Sequence, residues 1–86
     1  MATVILPSSL QGRTGGSRRF SIDAGTAGEA LRHLEQQEPS LAGWVLDERG
    51  RLRRHIKLFI NADEGELDTP LANGDELHVV RAISGG

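Results

Sequence analysis

The chain has 86 residues, a formal net charge of −2 and no cysteine. That length holds one small domain, near the lower limit for a hydrophobic core without staples. Without cysteine there is no disulfide framework, thiolate zinc site, iron–sulfur cluster or cysteine nucleophile, and the acidic balance argues against general nucleic-acid binding. No stretch approaches the length of a membrane span. The first apolar run, Val4, Ile5 and Leu6, is too short for a signal-peptide core and has no basic leader, so a soluble cytoplasmic protein is expected.

In chain order, "TVILP" is rich in β-branched and aliphatic residues and stops at Pro7, as a first strand would. The glycine-dense "QGRTGGS" reads as a turn. "RRFSID" then alternates, with Phe20 and Ile22 on one face and Arg19 and Ser21 on the other, which completes a hairpin. Thr26 and Glu29 have the spacing of a capping box, in which the Glu side chain reaches back to the amide of Thr26. Ala27, Ala30, Leu31 and Leu34 follow as one apolar helical stripe, and Pro39 ends the helix.

In "SLAGWVLDERGRLRR", Ser40 caps a short second helical turn that carries Leu41, Trp44 and Val45 onto the core, and Glu48 to Arg51 form a surface turn. "HIKLFIN" alternates, with Ile56, Leu58 and Ile60 opposite Lys57 and Phe59. "ADEGELDTPLANGD" is a polar crossing with a stop at Pro70 and a turn at Asn73 and Gly74. The last strand, "ELHVVRAI", points Leu77 and Val79 one way and His78 and Val80 the other. A hairpin, a helix and two later strands let the helix cover one face of a single mixed sheet. That is an α+β fold of the β-grasp (ubiquitin-like) type, with four to five strands and one main helix. The opposite face then carries Ile5, Phe59 and Val80, an apolar group suited to a partner unless the middle segment covers it.

Little internal chemistry is legible. "GRTGG" lacks the Lys-Ser/Thr of a phosphate loop and no helix follows it. His33, His55 and His78 have no metal-ligand spacing and read as surface residues. The basic run "RGRLRRHIK" reads as a solvated strand entrance, and "ADEGE" has no calcium-loop spacing. The closing Gly85 and Gly86 are different. A terminal glycine carboxylate, with no Cβ beside it, can enter a channel that excludes side chains and can be activated with ATP as an acyl adenylate. Gly is 11 of the 86 residues, so the pair alone is weak evidence.

The stretch "LANGDELHVVRAISGG", residues 71–86, resembles the ending of the ubiquitin-like sulfur carriers of the ThiS/MoaD family: a Gly-Asp turn, an alternating apolar strand, a short linker and Gly-Gly. The hairpin, capped helix and "HIKLFIN" are compatible with the rest of that fold. "GRLRRHIKLFINADE" and the long segment from Pro39 to Arg54 look closest to the CysO-type branch, which serves cysteine synthesis, while the molybdopterin and thiamine pathways of the family stay open because the partner enzymes decide the pathway. Arg81 stands where a proline is common.

The resemblance implies a β-grasp domain over 1–83 and a flexible tail over 84–86. Gly86 would be the adenylation and thiocarboxylate site. Gly85, Ser84 and Ile83 would thread into a partner's active site, and Phe59, Val80, Ala82 and Ile5 would form the docking patch. The chain would be a co-substrate rather than an enzyme, with no bound cofactor and ATP used by its activating enzyme. Implied partners are a ubiquitin-activating-type adenylating enzyme, a sulfur-accepting synthase and a metalloprotease-type hydrolase that releases product. Nucleic acid and membrane are not among them. A protein modifier conjugated to lysines and a plain β-grasp interaction domain are the competing readings.

Overall fold

The computed structural model describes residues 1–81. Five strands, β1 (Ala2–Ile5), β2 (Arg19–Ile22), β3 (Ile56–Ile60), β4 (Asp63–Gly65) and β5 (Glu76–Arg81), form one sheet in the order β2-β1-β5-β3-β4. The outer pairs are antiparallel and β1 runs parallel to β5. This is the mixed sheet of a β-grasp fold, and it puts β5 in the middle, between β1 and β3.

One face of the sheet is covered by α1 (Ala27–Gln37), whose Ala27, Ala30, Leu31 and Leu34 are buried. Opposite them lie Val4, Ile22, Leu58, Leu77 and Val79, each almost wholly removed from water. Burial of a side chain of this kind contributes about 1.5–3 kcal/mol. The helix start is fully partnered. Thr26 accepts from the Glu29 amide at 3.2 Å, while the Ala27 and Gly28 amides donate to the Thr69 and Leu67 carbonyls at 3.0 and 2.7 Å. Those are donors a helix cannot satisfy internally, so the polar crossing is fastened to the helix end. Gly28 permits this approach, since a Cβ there would sit 3.0 Å from the Leu67 carbonyl oxygen.

Several details differ from the sequence reading. Glu29 does not bond to the amide of Thr26. Its Oε1 accepts from the Gly25 amide at 2.7 Å, one residue earlier. The hairpin connection is a 3-10 helix, Ser8–Thr14, that buries Leu10 and ends at Gly15 in a left-handed conformation with φ 68°. The polar crossing contains β4, which pairs with β3 after a reversal at Asn61, a non-glycine residue with φ 58°.

After a short 3-10 helix, Pro39–Leu41, the middle segment sends Leu41, Val45 and Leu46 into the helix-side core. Trp44 does not follow them: it remains 45% exposed. With Leu41, Val45 and Leu46 filling the core, its ring instead lies under the Arg13 guanidinium, 3.6 Å from the ring centre. Among the described residues no helix is long and apolar enough to cross a membrane.

Candidate functional site

Because the middle segment sends its apolar side chains into the helix-side core, among the described residues the second face of the sheet is left to its own side chains. Strand pairing aligns Arg19 with Ile5, Ile5 with His78, His78 with Phe59 and Phe59 with Glu64. One row therefore crosses all five strands, with half-buried Ile5 and Phe59 on either side of His78. In the next row, Val80 of β5 pairs with Lys57 of β3. Val80 is 38% exposed, which is high for a valine within a strand. The face thus gathers Ile5, Phe59 and Val80 from the three central strands.

Charged groups frame this apolar group. Glu76 accepts from Arg19 Nη2 at 3.2 Å through one carboxylate oxygen and faces His78 Nε2 at 3.2 Å through the other. Lys57 Nζ lies 3.4 Å from Glu64 Oε2 on the opposite side. Exposed pairs like these contribute about 0–1 kcal/mol, so they set the pattern of charge more than the stability of the sheet. Of the three histidines, which read alike as surface residues in the sequence, His78 alone belongs to the row. His33 contacts the Asp23 carbonyl on the helix side and His55 precedes β3.

The central strand is held at its start. Asp75 accepts from the Ala72 amide at 2.8 Å and from Asn61 Nδ2 at 3.1 Å, and Asn61 Oδ1 accepts from the Glu76 amide at 3.0 Å. The Ala72 amide, and then Asn61, hold the Asp75 carboxyl below its ordinary range. At the other end of the strand, Ile5 to Ser9, Arg18 and His78 to Arg81 line an open groove of about 550 Å³. Among the lining residues, Arg18 donates from Nε to the Leu6 carbonyl at 2.9 Å.

Ala82, Ile83, Ser84, Gly85 and Gly86 lie outside the described residues, and with them the boundary of the 84–86 tail. Among the described residues no group of three or more His, Cys, Asp or Glu side chains converges to hold a metal ion. The basic run is structured by its acid. Asp47 Oδ1 accepts from the Arg49 and Arg51 amides at 2.9 and 3.0 Å, which, led by the Arg51 amide, hold its carboxyl below the ordinary range.

A sheet of this order with one helix across it defines the class of small ubiquitin-like β-grasp proteins, a likeness shared with solved structures over the full chain. The matched chain in the crystal structure of the Amycolatopsis orientalis BexX/CysO complex is 26% identical, with a TM-score of 0.87 and 100% of each chain covered. The ThiS family model matches residues 4–86, and the chain belongs to that family. The sulfur carrier protein CysO of Mycobacterium tuberculosis is 29% identical over 90 residues, covering 98% of this chain and 97% of the relative. Small archaeal modifier protein 1 of Haloferax volcanii is 35% identical over 74 residues, covering 83% and 85%.

Proposed function

We propose that this chain is a sulfur carrier whose Gly86 carboxylate is adenylated and converted to a thiocarboxylate. The carboxylate attacks the α-phosphorus of ATP on an activating enzyme and pyrophosphate leaves. Hydrosulfide then attacks the acyl carbon, the acyl–phosphate bond breaks, and AMP departs with the electron pair. A synthase next accepts the sulfur for cysteine, a thio-metabolite or a cofactor. The chain acts as co-substrate, and the catalytic groups belong to its partners.

One observation carries this reading: β5, which holds His78 and Val80 of the open face, is the strand that leads into residues 82–86. A partner seated on Ile5, Phe59 and Val80 would therefore lie beside the strand that ends at Arg81. The family and its CysO relatives support the sulfur chemistry, and the matched BexX/CysO complex supports a protein partner.

The absence of cysteine supplies the test. Protein isolated from its own host is treated with a thiol alkylating reagent, and adducts are located by fragment mass spectrometry. An adduct at Gly86 is the expected result. No adduct after incubation with ATP, hydrosulfide and the host's activating enzyme sinks the proposal. A second reading, a modifier joined to lysines of target proteins, draws on the archaeal modifier relative. It predicts lysine-linked adducts of this chain in cell extract.

A further inference from the structure

An activated glycine is an electrophile, so the nucleophiles on the carrier's own surface matter. This chain has no cysteine, and of its ten lysine and arginine residues only position 57 is a lysine. A guanidinium stays protonated at all physiological pH and does not attack acyl groups. Lys57 is therefore the one side-chain amine in the sequence. The α-amine of Met1 is the other amine, and it is bonded to Asn73 Oδ1 at the far end of β1.

The position of that lysine is informative. Lys57 stands on the open face, paired with Val80 and two residues from Phe59 along β3. Its side chain is half exposed, and Nζ donates to Glu64 rather than to a buried group. Ordinary solubility would be served by lysines anywhere on the surface. Here the other nine positions among the lysines and arginines, from Arg13 to Arg81, are all arginine. The one side-chain amine of the chain thus falls in the patch proposed to dock.

We propose that Lys57 is an acylation site, the acceptor for the activated glycine of a second copy, and that its occupation and docking of the open face exclude each other. The inference rests on the sulfur-carrier reading. In the step, neutral Nζ attacks the acyl carbon of the adenylate, and AMP leaves with the electrons of the acyl–phosphate bond. The amine proton passes to water and an isopeptide remains. While the activating enzyme covers the face, Lys57 is shielded from neighbouring activated ends. Once Lys57 is acylated, the attached chain stands where the enzyme must sit.

The test incubates full-length carrier with its host's ubiquitin-activating-type enzyme and ATP, without a sulfur donor, and follows pyrophosphate release. Trypsin cuts after Arg54 and Arg81, so acylation at Lys57 leaves residues 55–81 uncut at Lys57 and carrying the five-residue branch AISGG. That branch is expected, and Lys57→Arg removes it while pyrophosphate is still released. The isolated Lys57-linked dimer should release pyrophosphate at least tenfold more slowly than monomer. Branches on Met1 alone, no branch despite pyrophosphate release, or a dimer as active as monomer would each overturn the proposal. Absence of pyrophosphate release from wild-type protein would instead count against the sulfur-carrier reading.

Discussion

Asn61 donates from Nδ2 to Asp75 Oδ1 at 3.1 Å, joining the end of β3 to the turn that launches β5. Asn61 also takes the Glu76 amide and gives its own amide to the Glu76 carbonyl, at 3.0 and 2.8 Å. The central strand is thus aligned by side chains before the ladder begins. Because the bonds from Ala72 and Asn61 favour the ionised carboxylate, the folded Asp75 carboxyl titrates below the unfolded one. Its contribution is present above the unfolded value, near pH 3.9, and is lost as pH falls through the folded value. Asp75→Ala is therefore expected to lower the melting temperature at pH 7, with the difference from wild type shrinking in thermal melts as pH falls below the unfolded value. A difference that does not change with pH would show that the carboxylate charge is not what holds the turn.

The Thr26 cap makes a separate prediction about the helix. Thr26→Ala removes the acceptor of the Glu29 amide but leaves the backbone bonds of Ala27 and Gly28 to the crossing. Loss of a cap of this kind costs about 1 kcal/mol, and a urea titration should show that as an earlier midpoint with an unchanged slope. A loss several times larger would mean that the crossing also detaches.

Much of this fold was legible because its periodicities are local. Alternation in "HIKLFIN" and "ELHVVRAI" marks β3 and β5, and a capped stripe of Ala27, Ala30, Leu31 and Leu34 marks α1. β4 was not legible. Asp63, Glu64 and Gly65 carry no alternation, and their pairing is imposed by the reversal at Asn61. Trp44 was misplaced because apolar character does not say which surface receives a side chain, and its partner, Arg13, is remote in sequence. The central place of His78 depends on the parallel pairing of β1 with β5, a register no single segment contains.

The open face can be tested without disturbing the core. Val80 is partly exposed and lies away from α1, so Val80→Asp should keep the fold and place a charge where the partner must desolvate it. We expect at least a tenfold loss in kcat/KM for adenylation, about 1.4 kcal/mol, carried mainly by KM because the substitution lies outside the reacting tail. Kinetics of pyrophosphate release at varied carrier concentration would check this. An unchanged KM would remove Val80 from the docking surface.

Deletion of Gly85 and Gly86 separates the tail from that face. Both residues follow the last described strand and carry no side chain to bury, so thermal unfolding is expected to be unchanged. The truncated chain should still compete with wild type for the activating enzyme through Ile5, Phe59 and Val80 while taking up no sulfur. Sulfur loading of the truncated chain would show that Gly86 is not the site.

Glu35 lies on α1 with Oε2 buried and without a hydrogen-bond partner among the described residues. Burial pushes its carboxyl above the ordinary range, against the opposing pull of the Leu46 amide. The sign is opposite to that of Asp75. A carboxyl with a raised folded value binds its proton more tightly in the folded chain, so its contribution is favourable at low pH and is lost as pH rises through the folded value. Near neutrality, Glu35 is a carboxylate held partly out of water, which costs stability unless it is paired. Glu35→Gln keeps the shape and removes the charge, and it should raise the melting temperature at pH 7 while leaving it nearly unchanged at pH 4. Melting curves of the two proteins across that range decide the matter: a variant less stable than wild type at pH 7 would show that the charged form of Glu35 is needed where α1 meets the Leu46 segment.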